Sequence, residues 1–254
     1  MQKKYYAVKE GFDFKDNKQV RDIILNSWDE CLKYVKGVKG AKYKSFKTME
    51  EAQNYISGTI ENLSAKDEYP KDCLHIYVDG SYSNVTEKYS YAFVAVKDDV
   101  IVHVESGASK DNAQKKLRQI AGELEAALRA VAYAFGEGEK KVAIIHDYAG
   151  IYHHASGTWE RKDSSSAEYY DKMNKFLDRG IDVIFIKAKG HSGDIFNELA
   201  DSFAKAAIEI PLTKAVDNYL KDNNIFVKNC GLMEKVKSVV KSTNVMNIKI
   251  TSRE

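Results

Sequence analysis

Between Pro70 and Pro211, the only two prolines of the chain, the hydrophobic pattern changes period in a set order, and that order restricts the fold more than any other feature. Leu74–Asp79 alternates, with β-branched and aromatic residues, as a strand does, and Gly80-Ser81 relaxes the backbone beyond it. Tyr89–Lys97 and Val100–Gly107 alternate likewise and are joined only by Asp98-Asp99, which reads as a hairpin. Leu117, Ile120, Ala121, Leu124, Leu128, Val131 and Phe135 then recur at helical spacing. Lys141–His146 predicts a fourth strand ending in Asp147, residues 166–179 a helix, Ile181–Lys187 the last strand and Asn197–Ile208 the last helix. A three-strand meander followed by alternating helices and strands predicts an α/β chain, a mixed sheet with helices packed on it.

The flanks divide the rest. Residues 57–73 are polar and weakly periodic, as a linker is, and Pro211 ends the preceding helix. The chain therefore divides into a small α+β domain at 1–56, a linker at 57–73, a main domain at 74–210 and an extension at 211–254. In the small domain Tyr5–Val8 and Ala41–Phe46 read as strands, residues 12–26 are ambiguous, and Ser27 caps a helix. Thr48-Met49-Glu50-Glu51 is a capping box opening a helix through Ile56. In the extension, residues 213–222 and 231–241 predict helices and Val245–Thr251 a strand, and no motif assigns them a role.

Composition removes several classes. No apolar run approaches the ~18–20 residues that span a bilayer, and the amino terminus lacks the apolar segment of a signal peptide. Cys31, Cys73 and Cys230 are odd in number and far apart, which predicts reduced thiols and a cytoplasmic protein. A net charge of +2 excludes a uniformly basic coat, but lysines crowd residues 33–47 and leave room for a local nucleic-acid patch.

Four acids carry the chemistry. Asp79 ends the first strand of the main domain, Glu123 lies at the edge of its first helix's apolar face, about 60° from Ile120 at ~100° per residue, Asp147 closes the fourth strand, and Asp201 lies in the last helix. Taken alone, Asp79 reads as an acid that closes a strand and starts a turn. In the predicted layering, however, two strand ends and two helices can converge, and four carboxylates there would repel without positive charge. Hard oxygen donors with no Cys or His cluster select Mg²⁺ or Mn²⁺. Two such ions about 3.5–4 Å apart serve in-line phosphoryl transfer.

Val78-Asp79-Gly80-Ser81, Ala121-Gly122-Glu123-Leu124-Glu125-Ala126, His146-Asp147-Tyr148 and Lys189–Asp194 through Asn197-Glu198-Leu199-Ala200-Asp201 occur in the order found in type 1 ribonucleases H, which residues 74–210 resemble throughout. The resemblance implies a ribonuclease H-like fold and an endonuclease that cuts the RNA strand of RNA–DNA hybrids, leaving 5′-phosphates. It implies that Asp79, Glu123, Asp147 and Asp201 hold two Mg²⁺ ions, with Mn²⁺ as substitute. His191, in a Gly-flanked loop, would assist proton transfer or product departure. Ser81, Asn84 and Gln119 fall near hybrid-contact positions of the family, with Gln119 where an Asn is common and Asn84 one residue nearer Asp79 than usual.

Tyr5–Val8, Ser27–Cys31 and Ala41–Lys47 resemble the small hybrid-binding, viroplasmin-like domain at the amino terminus of many of these enzymes. That resemblance places Trp28 and Tyr43 on deoxyribose, Lys42 and Lys44 near phosphate, and Tyr6 beside them, with double-stranded RNA as a second partner. Residues 12–26 are longer and more apolar than the family's connection, and Ser45 replaces one lysine of its Lys-Lys pair. Read without the family, Trp28 is also open to a core role, the less favoured of the two readings. Adjacent residues rarely share one ion, so His153-His154 does not read as a metal site. The alternatives are a hybrid- or double-stranded-RNA-binding protein without catalysis, and a DNA strand transferase on the same fold. Oligomeric state is not legible.

Overall fold

The computed structural model describes residues 4–57, 59–64, 67–109, 119–160, 164–188, 194–241 and 243–251. They fall into two compact units, residues 1–60 with 174–183, and residues 61–173 with 184–254.

The first unit contains β1 (Tyr5–Asp13), β2 (Lys18–Leu25), α1 (Trp28–Val35), β3 (Lys42–Phe46) and α2 (Met49–Ser57). Its antiparallel sheet runs β2-β1-β3. The ambiguous stretch 12–26 resolves into the end of β1, a turn and β2. The Asp13 carboxylate accepts the Lys15 and Asp16 N–H groups there, and Asn17 takes a left-handed φ of 50°, a conformation Asn tolerates. Both predicted caps form. Ser27 accepts from the Glu30 N–H, and Thr48 and Glu51 satisfy each other's backbone donors. Strand alternation sends Val8 to Cys31 and Val35 on the α1 face, and Ala7 to Ala52 and Tyr55 on the α2 face.

The second unit is organised by an eight-stranded sheet of order β11-β10-β7-β6-β5-β8-β9-β4. Its strands are β4 (Ile60–Ser64), β5 (Leu74–Ser83), β6 (Lys88–Lys97), β7 (Val100–Ala108), β8 (Lys141–His146), β9 (Asp182–Lys187), β10 (Ile225–Val227) and β11 (Ile248–Ile250). β5 is antiparallel to β6 and parallel to β8, so the sheet is mixed, as the meander predicts. The β6–β7 turn uses Asp98 and Asp99 at φ 51° and 62°, the left-handed pair that matches the twist of a two-residue hairpin. Helix α3 (Gln119–Gly136) covers one face, where the Phe93 ring meets Tyr133 at 5.8 Å. Helix α6 (Ile195–Ala207) covers the other, packing Leu199, Ala200 and Phe203 on Tyr77, Ala92, Val94 and Ile145. Helix α5 (Ser164–Leu177) precedes β9 in the chain.

Several expectations change. β5 does not stop at Asp79 but runs to Ser83, because β6 continues to pair with it through Ser83↔Lys88. The stretch 57–73 is not a featureless linker, since it contains β4. Gly150–Ser156 forms a short helix, α4, ended by Gly157 at φ 74°. At seven residues it is too short for periodicity to reveal. The extension is part of the core. β10 pairs parallel to β7, β11 pairs parallel to β10, and α7 (Ala215–Asp222) and α8 (Cys230–Ser238) bury Val216, Leu220, Leu232 and Val236 in the cluster that holds Val104 and Phe203. The predicted strand 245–251 shrinks to β11 because Thr243–Asn247 winds into a 3-10 turn.

Candidate metal centre

The site grows from a mismatch between two ladders. β5 pairs with β6 along its whole length, whereas its parallel pairing with β8 ends at Tyr77↔Ile145. Two residues further along β5 stands Asp79, and Asp147 follows the last residue of β8. With a side-chain period of two, Asp79 continues the face of Tyr77, and the Tyr77 ring meets Phe196 of α6 at 5.4 Å. Asp79 is thus buried within a strand, at the point where one of its neighbours has ended. It remains 8% exposed, and its Oδ1 accepts the Gly80 N–H at 2.7 Å.

Glu123 comes from the first turns of α3, and Gly122 explains how it arrives. A Cβ at residue 122 would collide with the Ser90 carbonyl oxygen and stand 3.2 Å from the Gly80 Cα. The helix therefore rests directly on the backbone of β5 and β6 beside Asp79, an approach only glycine permits. Carboxylate oxygens of Asp79, Glu123 and Asp147 lie within 4.8 Å of one another. Asp79 and Glu123 are buried, and Asp147 is exposed.

Asp201 does not join that group. It lies on α6 with its Oδ2 2.7 Å from the Lys205 ammonium, both side chains 23% exposed. Its charge still reaches the cluster. Burial first, then Asp201 and Asp147, push the Asp79 carboxyl well above its ordinary value, while the Gly80 N–H and Lys205 pull against them. Three oxygen-donor side chains, two of them buried and one with its carboxyl raised by burial and then by repulsion, fit a hard divalent cation, whose charge would offset both.

The remaining predicted residues separate. His191 lies outside the described residues. Ser81 is buried in β5 opposite Ser90, and Asn84 sits in the exposed turn after it. Gln119 opens α3. In the small unit Tyr6, Trp28 and Tyr43 form a row of rings with centroids 5.8 Å apart at each step. Trp28 and Tyr43 are 41% and 44% exposed, so Trp28 is not a core tryptophan. Lys42 is bound to Glu10 at 3.3 Å, and Lys44 lies 5.7 Å from the Phe46 ring centroid. Alternation along β3 puts both lysines on the α2 face, opposite the aromatic row. His153 stacks on Trp159 at 4.6 Å and hydrogen-bonds Thr158 through Nδ1.

Sequence reasoning missed two neighbours of the acids. Lys205 was legible as the i+4 partner of Asp201 on one helix. His146, one residue before Asp147, is 1% exposed, and burial pushes its ring down to about 4, leaving it neutral. No spacing rule marks such a residue.

The family model described as the ribonuclease H1 N-terminal domain matches residues 4–56, and that described as RNase H matches residues 71–209. A curated relative, the ribonuclease H of Crithidia fasciculata, is 50% identical over 34 residues. That stretch is 13% of this chain and spans only 7% of the relative. Among solved structures, RNase H1 of the archaeon Halobacterium salinarum NRC-1 is 19% identical over 54% of this chain and 97% of that one, with a TM-score of 0.45. LC11-RNase H1 in complex with an RNA/DNA hybrid is 17% identical over 54% and 96%, also at 0.45.

Proposed function

The chain belongs to the RNase H family, whose model covers more than half of it, and from that premise we propose that it is an endonuclease hydrolysing the RNA strand of RNA–DNA hybrids with divalent metal. The observation that carries the reading is the convergence of Asp79, Glu123 and Asp147 within 4.8 Å.

Asp79 and Glu123, held by a strand interior and a helix that cannot shift away, are the fixed ligands. Asp147, at the exposed rim, is the ligand that meets substrate. Asp201 supplies a fourth carboxylate once Lys205 releases it. Mg²⁺, or Mn²⁺ in its place, bound as a pair would activate water and stabilise the leaving oxygen of an in-line displacement. His191 would carry a proton at the edge of the site. Recognition would rest on 2′-hydroxyls and hybrid shape rather than base sequence.

In the small unit the row Tyr6–Trp28–Tyr43 offers stacking faces for sugars or bases of a bound hybrid or double-stranded RNA. Lys42 and Lys44 would act as peripheral phosphate contacts. Holding substrate there raises its local concentration at the acids. The test is cleavage of end-labelled hybrid, duplex DNA and double-stranded RNA by the full chain with Mg²⁺ or EDTA. Hybrid-selective, Mg²⁺-dependent products with 5′-phosphates are expected. Tight hybrid binding without cleavage, or cleavage of duplex DNA instead, would overturn the reading.

A further inference from the structure

Asp147 is the exposed member of the acid cluster, and among the described residues its carboxylate accepts no hydrogen bond. Its aim must therefore come from the backbone on either side. On the strand side, the His146 carbonyl accepts the Ala188 N–H at 2.8 Å, and the His146 ring is buried with its edge to Phe185 of β9. Its Nδ1 lies 2.9 Å from the Tyr148 carbonyl oxygen. A carbonyl only accepts, so Nδ1 carries the proton, and the bare nitrogen is Nε2. Nε2 is buried and has no hydrogen-bond partner among the described residues, which leaves Nδ1–H as the polar contact the ring makes.

On the helix side, the same Tyr148 carbonyl accepts the Ile151 N–H of α4 at 3.1 Å. Both of its lone pairs are used, one by the residue before Asp147 and one by the helix after it. Asp147 is the residue enclosed between these two bonds. We propose that His146 is a positioning residue that orients Asp147 toward the metal through the Tyr148 carbonyl. The proposal rests on the reading of Asp79, Glu123 and Asp147 as metal ligands.

A histidine that merely fills space needs its ring, whereas one that positions Asp147 needs its Nδ1–H. Two substitutions separate these needs. His146→Phe keeps a ring and removes the donor. His146→Asn shrinks the side chain but carries an amide N–H close to the place of Nδ1. Mn²⁺ binding to the full chain is measured by calorimetry, and thermal unfolding is followed in EDTA. Loss of a group that orients a ligand weakens metal by about 10–100-fold. His146→Phe is expected to lose that much affinity while melting above His146→Asn. His146→Asn is expected to bind Mn²⁺ within about threefold of the unsubstituted chain, the histidine's orienting donor being retained. If affinity instead follows stability, or His146→Phe binds Mn²⁺ normally, the proposal is wrong. Asp79→Asn in the same titration checks the underlying reading, because undiminished Mn²⁺ binding there would remove the metal site and the proposal with it.

Discussion

The Lys205 ammonium lies 2.7 Å from the Asp201 carboxylate, one helical turn away on α6, and its charge also acts on Asp79. The site thus has a cation of its own beside it. A divalent ion that uses Asp201 must displace it. Lys205→Met is expected to tighten Mn²⁺ binding by about 3–10-fold, the equivalent of roughly 1 kcal/mol for a partly buried pair. Unchanged affinity in a calorimetric titration would mean that Lys205 does not compete.

The raised Asp79 carboxyl gives a sign for stability. The folded chain holds that proton more tightly than the unfolded chain, whose carboxyl titrates near 3.9. The resulting stabilisation is complete below the unfolded value and is lost as pH rises through the folded one. At pH 7 in EDTA, Asp79 therefore destabilises the fold. Asp79→Asn should melt higher than the unsubstituted chain there while losing about 10³-fold or more in hybrid cleavage, since metal stabilisation is worth several kcal/mol. A lower melting temperature would contradict the raised carboxyl that burial and neighbouring acids give Asp79.

Gly122→Ala adds one methyl group where α3 touches Ser90 and Gly80. The neighbour is backbone and cannot rotate away, so the helix must move and take Glu123 with it. A stability loss of about 1–3 kcal/mol is expected, with a fall in activity larger than the unfolded fraction explains. Denaturant melts and single-turnover cleavage on one preparation check both.

Leu220 of α7 is fully buried in the shared core. Leu220→Ala should cost about 2–5 kcal/mol and lower the single unfolding transition of the second unit. An independent extension would instead melt separately and leave that transition in place.

Trp28→Ala removes the middle ring of the aromatic row. Hybrid binding by the full chain should weaken by about 10–100-fold, as loss of one stacking face does. Lys42→Ala, already paired with Glu10, should change it less. Filter binding at a stated salt concentration measures both, and equal effects would undo the ranking.

Apart from the short α4, strand and helix order from Leu74 to Ala207 was legible because each longer element there buries a face and so carries a period. The acids were legible because a carboxylate among apolar residues is conspicuous. What escaped had a different cause. The mismatch between the β5–β6 and β5–β8 ladders, which opens the space beside Asp79, is a property of pairing and leaves no mark in one strand's pattern. Lys42 and Lys44 looked like companions of Tyr43, yet strand alternation turns them to the other face. The extension hid its role because three-residue strands such as Ile225–Val227 are too short to show a period.

The pairing of β10 with the first residues of β7, Phe226 to Val100 and Val227 to Ile101, also bears on how the chain keeps to itself. Without it the first two residues of β7 would offer their open hydrogen-bonding groups to any other extended chain. With it this corner of the sheet ends on β11, only three residues long, which is too little edge there to template a foreign strand. Residues of the 211–254 extension thus close this corner of the sheet.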